Sequence, residues 1–182
     1  MKAWATVLAA LTLALTGASA TPAVAAAPQA EACQKGWGSI TKAAPGSLAM
    51  TGSLTDVRTG EHTCYDRMVL DIPGMTTADP AGYWVQYVPG FNHPPSQTSI
   101  PVAGGAIIEI EFTAPVDDAR YHVRLADPLP GLDFRGYRTF RDAKFGGHYD
   151  GATHIGLGVR ATLPFRMTVL PDRLVVDVAH TW

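Results

Sequence analysis

Two heptapeptides lying far apart in the chain are nearly the same: residues 66–72 read DRMVLDI and residues 172–178 read DRLVVDV. Four of the seven positions are identical, and the other three exchange one aliphatic side chain for another. Each repeat alternates. Met68, Leu70 and Ile72, like Leu174, Val176 and Val178, fall on one side of an extended chain. Arg67, Val69 and Asp71, like Arg173, Val175 and Asp177, fall on the other. A period of two with one aliphatic side is the pattern of a strand buried on one face. The repetition predicts two equivalent central strands, one half of the molecule echoing the other, with the six aliphatic side chains buried together.

The same alternation recurs elsewhere between turn signals. Strands are expected at 53–58, 62–72, 83–89, 106–112, 120–125, 137–145, 154–160, 165–170 and 174–180. The breakers are Thr59-Gly60, Pro73-Gly74, Pro89-Gly90, Gly104-Gly105, Gly146-Gly147 and Pro171-Asp172. Residues 114–120 read as a short turn or helix. The proline-rich stretch 91–102 reads as a loop. About nine short strands at this spacing predict an all-β, two-sheet β-sandwich with internal pseudo-symmetry.

The first 20 residues stand outside that pattern. Lys2 precedes an apolar run of about 12 residues, and small residues follow at Ala18-Ser19-Ala20. This is the form of a secretory signal peptide, and the run is too short to span a bilayer as a helix. Cleavage is expected at Ala20 or at the second small-residue site, Ala23-Val24-Ala25. Residues 21–32 are Ala/Pro-rich and read as a flexible leader, leaving 33–182 as the folded domain. No second long apolar stretch follows, so the expectation is a secreted protein that does not span the membrane. Export allows the two cysteines, Cys33 and Cys64, to form a disulfide. The competing reading of Cys64 is a catalytic thiol beside His62.

Composition narrows the function classes. Charged residues make up 16% of the chain, hydrophobic residues 47%, and the net charge is −2. That balance argues against intrinsic disorder and, together with export, against a nucleic-acid partner. No G-x-S-x-G, H-E-x-x-H or P-loop motif is present. None of the six histidines are three or four residues apart, which removes helical metal pairs. His148, Asp150 and His154 can be drawn together across a hairpin, but solvated histidines are the simpler reading. Glu109 and Glu111 alternate with Ile108, Ile110 and Phe112, as on the wet face of an amphipathic strand. Trp84 and Gln86 face away from Tyr83, Val85 and Tyr87, so one of the two sets points outward. The sequence therefore predicts no catalytic residues, no metal and no cofactor.

Several short motifs resemble a known family. Residues 164–178, PFRMTVLPDRLVVDV, and 65–71, YDRMVLD, are similar to the closing strands of AMIN and AMIN-like domains. Trp37-Gly38-Ser39, Gly60-x-His62-x-Cys64, Gly82-Tyr83-x-Val85-x-Tyr87-Val88 and residues 155–160, IGLGVR, resemble the secreted AMIN-like proteins of actinobacteria. The likeness runs from about Trp37 to Trp182. It implies a two-sheet sandwich with internal symmetry. In AMIN domains attached to cell-wall amidases and secretins, it implies localisation by binding peptidoglycan or another envelope component. The chain leaves no room for a fused amidase domain, so the expected binding role is exercised alone or through a partner protein.

The best surface candidate is the densest basic stretch. Arg135, Arg138, Arg141 and Lys144 recur every three residues among Phe134, Tyr137, Phe140 and Phe145. Arg135, Arg138 and Arg141 are the expected ligand-binding residues, for an anionic cell-wall polymer or for a carboxylate held bidentately. The alternatives are a secreted protein-interaction or inhibitor module and, third, a hydrolase with a site dispersed over loops.

Overall fold

The computed structural model describes residue 33, residues 37–47 and residues 51–182. The expected signal peptide and the whole of the leader, 21–32, lie outside the described residues. Nine strands form two antiparallel sheets: β1 (Lys42–Ala44), β2 (Asp56–Glu61), β3 (Tyr65–Asp71), β4 (Tyr83–Val88), β5 (Ala106–Phe112), β6 (Phe140–Tyr149), β7 (Ala152–Val159), β8 (Phe165–Leu170) and β9 (Arg173–Ala179). The larger sheet has the order β1-β4-β5-β7-β6, the smaller β2-β3-β9-β8.

The two heptapeptides are the central pair of the smaller sheet and bond directly to each other. Asp66 lies opposite Val178, Arg67 opposite Asp177, Val69 opposite Val175 and Asp71 opposite Arg173. The register is a local two-fold centred on Val69 and Val175, with a hairpin on each flank. Met68, Leu70, Ile72, Leu174, Val176 and Val178 are all fully buried. They meet Val85, Ile108, Ile110, Phe112, Ile155 and Leu157 of the larger sheet in one core. Burying apolar side chains at ~25 cal/mol per Å² is what holds two such sheets face to face.

The structure corrects the strand reading in four places. Residues 120–125 form no strand. Asp117 instead nucleates a turn, its carbonyl accepting from the Arg120 and Tyr121 amides and its side chain from the Ala119 amide. Only Tyr121 of that stretch enters the core. Conversely, β1 is a three-residue strand with no apolar alternation, recruited by pairing with β4. The expected strand 62–72 begins only at Tyr65, and the expected breaker Thr59-Gly60 lies inside β2, which runs on to Glu61 before the chain reverses. Gly146-Gly147 does not break the chain but lies inside β6, with a bulge between Phe145 and Gly147.

Those glycines answer to the loop that follows β4. A Cβ at Gly146 would come within 2.4 Å of the Phe91 ring, and one at Gly156 within 2.5 Å. The loop thus packs onto bare backbone on the outer face of the larger sheet, where Phe91 is 1% exposed. The β6–β7 hairpin closes through Asp150 and Gly151, both at positive φ, the geometry that Asp-Gly favours.

Candidate functional site

At one end of the sandwich the chain entering β6 crosses the ends of β3, β7 and β9. Its polar centre is Asp66, the first residue of the first heptapeptide. Because it shares the side of Met68 and Leu70, its carboxylate points inward and is fully buried. Asp66 Oδ2 accepts from the Thr139 amide (2.6 Å) and the Phe140 amide (3.0 Å), and Oδ1 lies 2.9 Å from His180 Nε2. Such charge-assisted bonds offset the cost of burying the carboxylate. Arg138 Nη1 donates to His180 Nδ1 at 3.4 Å. A guanidinium only donates, so Nδ1 accepts and the ring proton sits on Nε2, facing Asp66.

Three arginines gather on this support. Arg141 donates to the carbonyls of Tyr137 (2.9 Å), Phe140 (2.7 Å) and Arg138 (3.1 Å). Arg160, leaving β7, donates to the carbonyls of Arg138 (3.3 Å) and His180 (2.6 Å). Two guanidinium groups thus converge on the backbone of the third arginine. All three residues are exposed. Among the described residues, no carboxylate lies within ion-pair distance of any of them. Carbonyl dipoles hold the guanidinium groups in place but leave their charge uncancelled. Arg138 also keeps its Nε and Nη2 unbonded within the described residues, a planar fork suited to an oxyanion.

Of the three arginines expected from sequence, Arg138 and Arg141 are brought together here, with Arg141 on β6 and Arg138 just before it. Arg135 lies in the preceding turn, on no strand, and pairs with Asp133. The hydrogen bonds between them hold the Asp133 carboxyl down at about 2 and raise the Arg135 guanidinium. Its charge is therefore locally spent. Lys144 pairs loosely with Asp142, at 3.9 Å. Asp66, His180 and Arg160 were not anticipated as members of the site.

A second polar cluster lies on the outer face of the smaller sheet. Arg67 grips Asp177 with two bonds (2.7 and 2.9 Å), and Arg166 adds a third at 2.8 Å. Arg166 lies 4.5 Å from the Trp37 ring centroid, and Trp37 packs on Tyr65. Asp177 is fully buried beneath these side chains. With the Cys33–Cys64 disulfide and the Gly38–Phe165 bridge, the cluster fastens the N-terminal segment to the sheet. His62 stacks on Tyr65, and Cys64 is bridged to Cys33 and holds no free thiol.

The remaining sequence candidates are dispersed. His148 bonds Thr153 at 3.0 Å, and His154 lies 3.4 Å from Glu109. Among the described residues, no three His, Cys, Asp or Glu side chains converge as metal ligands. Trp84 points outward and is 49% exposed, while Val85 is buried.

Compared with known families, residues 52–180 match the model of the AMIN-like domain. The chain belongs to the AMIN-like domain family. The match takes in both heptapeptides, eight of the nine strands, and all of Asp66, Arg138, Arg141, Arg160 and His180. Cys33, Trp37 and β1 precede it, so the disulfide joins the AMIN-like domain to a segment outside the matched region. No curated protein and no solved structure matches the chain significantly. Among the described residues of the AMIN-like domain, no helix is long and apolar enough to cross a membrane.

Proposed function

We propose that this AMIN-like domain is a secreted, non-catalytic module that binds an anionic component of the cell wall or envelope, such as peptidoglycan, through Arg138, Arg141 and Arg160. The observation that carries the reading is the uncancelled charge of three exposed guanidinium groups fixed around one backbone segment. Preorganisation matters here, because an arginine already held by carbonyls loses less rotamer freedom when a ligand arrives. Family membership supports an envelope-related role, and the disulfide suits an oxidising compartment outside the cytoplasm. The Asp66–His180 pair lends no support to hydrolysis, since His180 Nδ1 already accepts from Arg138 and both side chains are buried.

Co-sedimentation with purified cell walls tests the proposal. Wild type should pellet with the walls at low salt and be released as salt rises, since exposed charges are screened beyond ~8 Å at physiological ionic strength. Replacing Arg138 and Arg141 by Ala should weaken binding about tenfold or more, at about 1.5–3 kcal/mol per charged hydrogen bond lost. Arg135→Ala should bind like wild type. Equal pelleting of wild type and the double variant would remove the cluster as the site. Failure of wild type to pellet at any salt concentration would reject wall binding and favour a protein partner.

A further inference from the structure

The outer face of the larger sheet carries the opposite charge. Where β1, β4, β5 and β7 run side by side, one row reads Ala43, Trp84, Glu111, His154. The neighbouring row holds Gln86 opposite Glu109. Glu109 is turned toward His154, at 3.4 Å. Glu111 has no hydrogen-bond or ion-pair partner among the described residues and stands directly across from the exposed indole of Trp84.

Beside this pair is a groove of about 210 Å³, lined by Pro45, Gly46, Gly82, Trp84, Glu111 and Thr113 among others. Its floor is formed where two backbones touch. A Cβ on Gly46 would lie 2.4 Å from the Gly82 amide nitrogen, and one on Gly82 would lie 2.5 Å from that of Gly46. The backbone groups of Gly82 in that floor are already satisfied. Gly82 donates its amide to Thr113 Oγ1 at 2.8 Å, and its carbonyl accepts from the Thr113 amide at 2.9 Å. Glu111 is the one charged side chain among the described residues that line the groove.

We infer that this groove takes the side chain of a lysine presented by a basic polypeptide. The aliphatic stem would lie along Pro45, and the ammonium would meet the Glu111 carboxylate and the face of the Trp84 indole. An indole face attracts cations through its quadrupole, and an unpaired carboxylate beside it adds direct charge complementarity. Glu109 extends the negative field. The Asp142–Lys144 pair farther along the sheet contributes no net charge. An anionic polymer is disfavoured at this face for the same reason, so the groove and the arginine cluster select ligands of opposite sign and stand or fall separately.

The test is a titration of the purified protein with N-acetyl-lysine methylamide, followed by NMR at the Trp84 indole N–H, which is assigned from its disappearance in Trp84→Phe. A saturable shift with millimolar affinity is expected. The norleucine analogue, with the same four-carbon stem but no ammonium, should produce none. Glu111→Gln should bind at least tenfold more weakly while the rest of its spectrum stays unchanged. Absence of a saturable shift with the lysine probe would overturn the inference, as would an equal shift with norleucine or undiminished binding by Glu111→Gln.

Discussion

Asp66 offers the most demanding test of how the site is held. Replacing it with Ala removes the acceptor of two buried backbone amides, those of Thr139 and Phe140, and of His180 Nε2. A buried donor left unpaired costs about 1–3 kcal/mol, so the three together give a loss of about 4 kcal/mol, allowing for some rearrangement. In a domain of this size that lowers the melting temperature by about 8–16 °C. Asp66→Asn should cost less, about 1–2 kcal/mol. Its amide oxygen still serves both backbone donors, but its NH₂ forces the proton of His180 from Nε2 to Nδ1. The Nδ1 proton then faces the Arg138 guanidinium, so the Asn variant should also loosen Arg138 and weaken wall binding while remaining folded. The internal control is Asp172, the equivalent residue of the second heptapeptide. It sits in a turn at φ 62°, and its side chain accepts only from the exposed Gly74 amide. Asp172→Gly should change stability by less than about 0.5 kcal/mol, because glycine gains at a left-handed position what the lost bond gave. Urea unfolding with matched m values measures all three variants. A loss below about 1 kcal/mol for Asp66→Ala would refute the account of the buried network.

The disulfide and an ionisable tyrosine give two further outcomes. Thiol labelling of the unreduced, denatured protein should detect no free sulfhydryl, and reduction should cost about 3–4 kcal/mol, from a cross-link spanning 31 residues; two labelled cysteines would contradict the bridge. Tyr87 donates to the Leu163 carbonyl and accepts from the Leu163 amide, and burial pushes its hydroxyl up to about 12. The native state therefore keeps a proton that the unfolded chain gives up near 10, so stability is intact below pH 10 and falls as pH rises from 10 toward 12. Tyr87→Phe should reduce that alkaline dependence, leaving the share of Tyr121, whose hydroxyl burial also raises, and cost about 1–2 kcal/mol, read by denaturation at pH 8 and pH 11; an unchanged pH profile would reject the assignment.

What the sequence made legible was the strands whose alternation is produced by the core itself. Residues 83–88, 106–112, 165–170 and 173–179 each bury alternate side chains against the opposite sheet, and the pattern is visible for that reason. Residues 120–125 display the same alternation without the burial behind it. The turn set by Asp117 competes locally; Tyr121 is buried, Val123 packs only partly against the core, and Leu125 stays exposed. Gly146-Gly147 was misleading in the other direction. Two glycines look like a stop, yet here they make room for Phe91 and His93, side chains more than 50 residues earlier in the chain. A contact of that kind leaves no periodic trace. The Asp150-Gly151 dipeptide, which was not among the expected breakers, is what marks where β6 turns back.

The candidate site was half legible, and the missing half follows from how the heptapeptides pair. Arg138 and Arg141 were visible as local charge, and the Asp-Phe-Arg spacing of residues 133–135 already contained the reason Arg135 stands apart. Arg160 and His180 could not be found by proximity in sequence. Asp66 could have been, since the alternation that buries Met68 and Leu70 places it on the same side. A carboxylate facing a core must be met by donors. The antiparallel register then shows why only one of the two repeats makes such a centre. The first position of each repeat falls at an opposite end of the paired strands. Asp66 meets the incoming end of β6 and the outgoing end of β9, whereas Asp172 is left in the β8–β9 turn. The sixth position diverges likewise, with Asp71 taking Arg58 at the sheet edge and Asp177 taking both Arg67 and Arg166 at its centre. The aliphatic positions stay equivalent because both lie in one core. The polar positions are free to differ because each end of the sandwich meets a different part of the chain, and it is at the Asp66 end that the three uncancelled arginines are assembled.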